Sequence, residues 1–423
     1  MTMNNYLSRY IESTISKKMK SSGVVLVEGP KFCGKTTTSA LFAKSEIRLN
    51  TTKAAIQIAR IEPYNVLIGE RPRLIDEWQT VPDLWNQAKA WIDENPGFGQ
   101  FIFTGSSTPV DNSDIFHSGA GRITRVMMRP MSLFESCDSK GSVSLSFLFD
   151  NHNPAIFDMN EGYGLSDTAF LLCRGGWPLS IQPEKDVALE VTSNYYESLF
   201  NLGNSENPKF RNKNPEIMKI VMRAYARHVS SQTSTTKILA DIAARDSRSI
   251  SNKTFEEYAD ALTDLFIIED MEAWNPNLRS KTVVRSTPTH HFVDSSIAAQ
   301  ALGASPADLM SDLNTFGLLF EDMAVRDLRV YAQTLNGNVL HYRDSRGLEC
   351  DTIVHLKDGR WAPIEIKLGG DNLIEEGAKN LLKLKSDIAE KNQPSFMMIL
   401  TATGPAYRRQ DGIYVVPINC LKA

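Results

Sequence analysis

Cysteine is scarce in this sequence of 423 residues, which contains only five, scattered along the chain. They stand at Cys33, Cys137, Cys173, Cys350 and Cys420. No CxxC pair occurs, so the sequence predicts neither a disulfide framework nor a structural zinc site. This cysteine usage fits a reducing compartment, and we expect a cytoplasmic protein.

Long apolar runs and an excess of one charge are also absent. No stretch approaches the roughly 18 apolar residues that cross a bilayer, and residues 1–20 lack the apolar segment of a signal peptide, so we expect no membrane partner. The 50 acidic and 46 basic residues give a net charge of −4. This charge excludes a uniformly basic nucleic-acid coat but leaves local basic surfaces open. The length indicates two or three domains.

A phosphate-binding loop is the strongest motif present. It lies between the apolar run at residues 24–27 and a helical stretch, and it fits the pattern GxxxxGK(S/T). Its residues are Gly29, Pro30, Lys31, Phe32, Cys33, Gly34, Lys35 and Thr36, and Thr37 follows them. Glycines at both corners let successive N–H groups point at an anion, Lys35 is placed for the β- and γ-phosphates, and Thr36 offers a hydroxyl to Mg²⁺. The sequence therefore predicts that these residues bind ATP and Mg²⁺.

Two acids end the predicted strand at residues 73–76, downstream of the loop. Asp76 is predicted to hold Mg²⁺, directly or through water, and Glu77 to polarise the water that attacks the γ-phosphate. A small-molecule kinase is an alternative for a chain with such a loop, but the second acid favours hydrolysis.

Polar residues follow the next predicted strand, at residues 101–104. Thr104 or Ser106 is expected to sense the γ-phosphate or to position water, with a simple capping turn as the alternative. Arg122 stands in a glycine-rich loop and is expected to stabilise transition-state charge, in its own subunit or from a neighbouring one. The second option requires that the protein forms a homo-oligomer.

The predicted elements divide the chain into four parts. Short apolar runs alternate with helical stretches in residues 1–135, which predicts a mostly parallel sheet preceded by an N-terminal helix. The weaker, turn-rich pattern of residues 136–214 indicates a helical lid or connector. Residues 215–300 have the helix, turn, helix and strand outline of a winged helix. Residues 301–423 form a second predicted α/β unit.

Basic and polar residues give the winged-helix part a candidate DNA contact. They lie on or beside its expected recognition helix: Lys237, Arg245, Arg248, Lys253 and Thr254. These side chains could contact phosphates, but a solvated surface or a protein-docking module would show the same pattern.

Seven segments together resemble a known family. They read GPKFCGKTTT, LIDEWQ, FIFTGSS, HSGAGR, MRPMSLFES, CRGGWP and FVDSSIAAQALG. The set is similar to the prokaryotic AAA+-related ATPases that carry a C-terminal DUF4143 region, and the resemblance spans nearly the whole chain. It implies an α/β protein with a P-loop NTPase core of AAA+ type, a winged-helix middle domain and a C-terminal domain of restriction-endonuclease-like fold.

A second constellation lies in the C-terminal part. Asp351 is followed, across a predicted turn, by Glu365-Ile366-Lys367, and Glu365 and Lys367 fall on one face of their strand because side chains alternate. This is the PD-(D/E)xK arrangement of many nucleases. Asp351 and Glu365 would bind Mg²⁺ or Mn²⁺, Lys367 would orient or deprotonate water, and Glu321 would add a carboxylate. A solvated hairpin is the alternative.

These features together predict an ATP-hydrolysing protein that acts on nucleic acid, with DNA favoured, and that has a metal-dependent nuclease-like site. The alternative is an ATP-driven switch, or a binder of DNA or another partner, whose nuclease-like domain is catalytically inactive.

Overall fold

A computed structural model describes residues 6–49, 53–106, 119–201, 213–246, 248–275 and 287–423. The helices in these ranges are Ile11–Met19, Lys35–Ala40, Lys53–Ile61, Pro63–Val66, Leu84–Glu94, Leu145–Asp150, Leu165–Arg174, Pro178–Ile181, Lys185–Ser198, Pro215–Arg227, Thr235–Arg245, Asn252–Asp264, Ser295–Leu302, Pro306–Ser311, Leu313–Thr334 and Asp371–Asp387. The strands are β1 Val24–Glu28, β2 Ser45–Arg48, β3 Arg73–Asp76, β4 Phe101–Gly105, β5 Ile123–Met127, β6 Val143–Ser144, β7 Phe157–Asp158, β8 Gly337–Arg343, β9 Glu349–Leu356, β10 Trp361–Lys367, β11 Met398–Thr401, β12 Ala406–Arg408, β13 Tyr414–Pro417 and β14 Leu421–Lys422.

The N-terminal sheet is parallel throughout, in the order β2-β3-β4-β1-β5. Its central strands are continuous apolar runs because helices cover both faces of a parallel sheet, and residues 24–27 are almost completely buried. Strand β4 lies between β1 and β3, with Thr104 in register with Val27 on one side and Asp76 on the other. The predicted parallel sheet is therefore confirmed, and its carboxyl edge gathers the ends of β1, β3 and β4.

The C-terminal sheet has seven strands in the order β7-β12-β13-β11-β10-β9-β8. Strands β8, β9 and β10 form an antiparallel meander, and β11 and β13 run parallel to β10. Its edge strand β7 comes from the segment predicted as a connector, and β6 of the same segment pairs with β14 at residues 421–422. The segment predicted as a connector is thus tied to the C-terminal part of the chain twice, by β7 within the seven-stranded sheet and by β6 in a separate two-stranded sheet with β14.

Three helices, Pro215–Arg227, Thr235–Arg245 and Asn252–Asp264, form the middle of the chain and match the predicted helical outline. In place of the strands that the winged-helix outline includes, the described residues show isolated bridges, which join Ile268 to Phe292 and Met271 to Thr289. Residues 276–286 lie outside the described residues. The structure therefore supports the helices of this region more fully than its predicted sheet.

The hydrophobic core crosses the predicted domain boundaries. One buried cluster includes residues of the N-terminal helix, the middle helices, the C-terminal sheet and the 22-residue helix Leu313–Thr334, called the long helix below. The long helix also buries four charged side chains, Asp322, Arg326, Asp327 and Arg329. Among the helices of the described ranges, none is both long and apolar enough to span a bilayer.

Candidate nucleotide site and carboxylate cluster

The phosphate-binding loop has the backbone that its glycines predict. Gly29 has a φ of +152° and Gly34 a φ of +100°, both in a region that side chains with Cβ disfavour. A Cβ on Gly29 would lie 2.1 Å from the Met128 carbonyl oxygen, so the residue that follows β5 closes the loop from one side. Lys35 is buried, and its Nζ donates to the Gly29 and Pro30 carbonyl oxygens at 2.9 and 2.7 Å. This ammonium group lies on the loop, where a phosphate would meet it.

The other loop residues differ in exposure. Lys31, Phe32 and Thr37 are exposed, whereas Cys33 is buried with its Sγ 3.4 Å from the Met128 carbonyl oxygen. Cys33 therefore has only its backbone to offer a phosphate. Phe32 packs edge-on against Tyr195 at a ring distance of 5.6 Å, which joins the loop to the helix Lys185–Ser198.

Thr36 and Asp76 come together at the carboxyl edge of the sheet. The Thr36 hydroxyl donates to Asp76 Oδ1 at 2.8 Å, and Thr104 donates a short hydrogen bond to the same oxygen. A hydroxyl and a carboxylate are hard oxygen donors of the kind Mg²⁺ prefers, so these two residues fit the ion that an ATP site requires. Asp76 and Thr104 are both buried, which fixes their positions.

Glu77 follows Asp76 with a left-handed backbone, φ +56°. This conformation is uncommon for a residue other than glycine and aims the side chain away from the course of the strand. The Ser106 hydroxyl donates to Glu77 Oε2 at 2.9 Å, and Gln79 Nε2 donates a short hydrogen bond to the same oxygen. Ser106, predicted to sense phosphate, thus contacts the predicted base. Gln79 was missed, although it stands two residues from Glu77 in LIDEWQ.

Arg122 lies at the amino end of the parallel strands, opposite the carboxyl end where the phosphate loop lies. Its carbonyl oxygen accepts from the N–H of Val24, the first residue of β1, whereas the phosphate loop follows the last residue of the same strand. Its guanidinium is paired with Asp93 at 2.7 Å. The length of a five-residue strand, about 13 Å, separates the two ends, so one subunit does not bring Arg122 to its own phosphate loop, and the role of Arg122 in catalysis stays a prediction.

The predicted carboxylate cluster forms in the C-terminal sheet. Lys367 Nζ lies 3.0 Å from Asp351 Oδ2 and 2.8 Å from Glu365 Oε2, which confirms that Glu365 and Lys367 share a face. The Ile366 N–H also donates to Asp351 Oδ2, at 2.7 Å. Burial and the nearby Asp351 raise the pKa of Glu321 well above its usual range, with a further contribution from Glu365. All four predicted residues therefore belong to one cluster.

The predicted metal set of this cluster is not formed. In the described part of the chain no three His, Cys, Asp or Glu side chains are placed to hold an ion, and this includes Asp351, Glu365 and Glu321. The physical reason is that the Lys367 ammonium lies between the Asp351 and Glu365 carboxylates and compensates their charge. Glu365 Oε1 is nevertheless buried without a hydrogen-bond partner.

The predicted DNA contacts of the middle region lie on a surface of mixed charge. Lys237, Arg245, Arg248 and Lys253 are exposed, and Thr254 is partly buried. Arg245 is paired with Asp241 at 2.8 Å. The helix Asn252–Asp264 contains one lysine and four acids, so its charge opposes an approach to phosphates.

Three family descriptions match successive parts of the chain. An AAA domain matches residues 21–137, the domain of unknown function DUF8612 matches residues 165–308, and the domain of unknown function DUF4143 matches residues 316–421. Uncharacterized proteins of Mycobacterium bovis and Mycobacterium tuberculosis are each 24% identical over 365 residues, which is 84% of this chain and 72% of theirs.

Two solved structures also align with this chain, both with low TM-scores. The Walker-type ATPase of Pyrococcus abyssi is 14% identical with a TM-score of 0.44, over 71% of this chain and 97% of its own. The Orc1 protein of Aeropyrum pernix, in complex with DNA, is 11% identical with a TM-score of 0.28, over 71% of this chain and 94% of its own.

Proposed function

Since this chain is an AAA-related ATPase with a C-terminal DUF4143 domain, we propose that it hydrolyses ATP and uses the reaction to switch how it binds nucleic acid. The observation that carries the first part is the convergence at one sheet edge of Lys35, the Thr36–Asp76 pair and the positioned Glu77.

Each of these residues has a separate task in hydrolysis. The N–H groups of the loop and Lys35 bind the phosphates. Thr36 and Asp76 would hold Mg²⁺, which when bound offsets the charge of the β- and γ-phosphates. Glu77 accepts a proton from the attacking water. At the same time the water oxygen bonds to the γ-phosphorus, and the bond from that phosphorus to the leaving ADP oxygen breaks.

ATP turnover by variants tests this assignment. We expect Lys35→Ala to lose ATP binding, and Glu77→Gln to bind ATP normally but hydrolyse it about 10²- to 10³-fold more slowly. Glu62→Gln, at an exposed acid outside the site, serves as the control and should keep full activity. A Glu77→Gln variant with an unchanged rate would contradict the role of Glu77.

Arg122 can serve hydrolysis only from a second copy of the chain, because it lies at the far edge of its own sheet. In such a homo-oligomer, a mixture of Lys35→Ala and Arg122→Ala chains would regain ATPase activity that neither variant has alone. No recovery on mixing would remove Arg122 from the reaction.

The C-terminal domain is proposed to bind DNA without cutting it. Lys367 compensates Asp351 and Glu365 in the arrangement described, which favours a binding surface over a metal-dependent catalyst. The second candidate is metal-dependent cleavage of a phosphodiester. It is favoured by Glu365 Oε1, a buried oxygen without a hydrogen-bond partner that could become a metal ligand if Lys367 moved.

Binding and cleavage assays separate the two candidates. They use supercoiled and linear DNA with Mg²⁺ or Mn²⁺, each with and without ATP. Cleavage that is lost in Asp351→Ala would establish the catalyst, and the Lys35→Ala variant would show whether ATP controls it. Binding without cleavage would leave the ATP-driven switch. If the protein neither bound nor cleaved DNA, DNA would be excluded as the partner.

A further inference from the structure

The segment that follows β5 lies directly behind the phosphate-binding loop. The Met128 carbonyl oxygen leaves no room for a Cβ on Gly29 and accepts from the Cys33 thiol. Arg9 joins the same two parts, since its guanidinium donates to the Cys33 and Arg129 carbonyl oxygens, each at 2.8 Å. A movement of the loop at Gly29 or Cys33 must therefore be accommodated by Met128 and Arg129.

The Arg129 side chain points the other way and joins two further parts of the chain. Its guanidinium makes a bidentate pair with Glu269, with Nε 2.9 Å from Oε2, and its Nη1 donates to Gln333 Oε1 at 3.0 Å. Gln333 in turn donates to the Met127 carbonyl oxygen at 2.9 Å. Burial favours a neutral Glu269, but Arg129 and Arg329 outweigh it and hold the pKa of this carboxyl at about 2. The pair is thus a charged one.

The contacts of Arg129 with Glu269 and Gln333 are called the junction below. The long helix connects this junction to the carboxylate cluster. Gln333 lies near its carboxyl end, and Glu321 lies twelve residues earlier. The helix packs against β9 and β10, the strands that carry the cluster, and burial together with the charges of Asp351 and Glu365 raises the pKa of Glu321. At 1.5 Å per residue the two positions are about 18 Å apart along one helix. The side chains between them are almost all buried, so the helix is held along its length and would shift as a unit.

We propose that Arg129 couples the nucleotide site to the carboxylate cluster by transmitting loop movement to the long helix. The inference rests on the proposed function in requiring ATP at the phosphate loop. A phosphate that binds Lys35 competes with the Gly29 and Pro30 carbonyls for its ammonium, and the loop rearranges. Because Gly29 is in contact with Met128, Arg129 moves with it and displaces Gln333. The position of the long helix against the carboxylate cluster then depends on whether nucleotide is bound, as coupling between two sites requires.

Hydrogen exchange by mass spectrometry on the full chain, with and without adenylyl imidodiphosphate, tests the coupling. In the wild type we expect the nucleotide to change exchange by at least about fivefold in peptides covering the long helix and β9–β10. Arg129→Gln should still bind the nucleotide but lose this change. Arg125→Gln is the matched control, because Arg125 also lies on the β5 segment but is paired with Glu28 at 3.2 Å, and it should keep the change.

A second variant tests the same coupling independently, so that the test does not depend on correct folding of Arg129→Gln. Gln333→Ala leaves the Arg129–Glu269 pair intact and removes the direct hydrogen bonds that Arg129 and Met127 make to the long helix. Arg329 of the long helix still contacts Glu269 at 3.6 Å, so we expect this variant to reduce the nucleotide-dependent change at least about twofold. Retention of the change in both variants would overturn the proposal, as would nucleotide binding to the wild type without any change in exchange. Absence of nucleotide binding to the wild type would instead overturn the proposed function, and the coupling with it.

Discussion

Gly29 shows how a single residue fixes the position of the phosphate loop. Its φ of +152° and the 2.1 Å between an added Cβ and the Met128 carbonyl oxygen leave no room for a side chain. We expect Gly29→Ala to destabilise the protein by about 3 kcal/mol or more, since overpacking adds to backbone strain. The control Gly162→Ala has φ +79° with open space around it and should cost only about 1 kcal/mol. Urea unfolding measures both, and equal losses would contradict the steric argument.

Glu77 depends on two neighbours that hold its carboxylate. Ser106 and Gln79 both donate to Oε2, and removing one of them leaves the proposed base held by a single hydrogen bond. We expect Gln79→Ala to lower kcat about tenfold and leave KM for ATP nearly unchanged, because orientation of the base matters only in the transition state. Steady-state ATPase kinetics measure the two constants. A variant in which KM alone changes would show that Gln79 assists binding instead.

At the scale of elements, the long helix is fixed to the rest of the molecule by buried ion pairs. Arg326 contacts Asp294 at 2.8 Å and Asp327 at 2.7 Å, and all three side chains are fully buried. Asp294 also accepts from the Gly176 N–H, and Asp327 from the Leu133 N–H, so three distant segments meet here. No pattern in the sequence predicted this network, although its partners stand in the motifs CRGGWP, MRPMSLFES and FVDSS.

Replacing Arg326 tests the energetic importance of this network. Arg326→Met leaves two buried carboxylates without a counterion, and we expect a loss of about 3–5 kcal/mol in the free energy of unfolding. Arg360→Met breaks pairs with Asp150 and Asp358 at the surface and should cost less than about 1 kcal/mol. Denaturant unfolding compares the two variants. A loss at Arg326 as small as that at Arg360 would contradict the prediction.

At the scale of the whole molecule, acid should loosen the junction at Glu269. Its pKa is about 2 in the folded protein, below the ordinary value of 4.5. The charged carboxylate therefore contributes its full stabilisation above about pH 4.5, and that contribution is lost as the pH falls towards 2. The shift corresponds to about 3 kcal/mol.

Unfolding free energies measured between pH 5 and pH 2 test this dependence. The wild type should lose more stability over this range than Glu269→Gln, whose side chain does not titrate. Glu161→Gln, at an exposed position, should follow the wild type. Parallel curves for wild type and Glu269→Gln would show that the pair with Arg129 does not stabilise the fold.

The sequence alone determined features that depend on contiguous residues. The strand predicted at residues 73–76 coincides with β3, and the apolar run at 24–27 and the strand predicted at 101–104 each end one residue before β1 and β4 do. The glycine-cornered loop could be recognised because its conformation is set by residues next to one another. The shared face of Glu365 and Lys367 followed from the two-residue repeat of a strand.

Tertiary structure alone decided which distant side chains meet. The parallel direction of the neighbouring strands β1 and β5 placed Arg122 at the end of the sheet opposite the phosphate loop, because Arg122 precedes β5 and the loop follows β1. Packing brought Arg129 to Glu269 and Gln333, which are 140 and 204 residues away along the chain. It also set Lys367 between two carboxylates. Local periodicity determines the face on which a side chain lies, but strand register and helix packing determine what that face contacts.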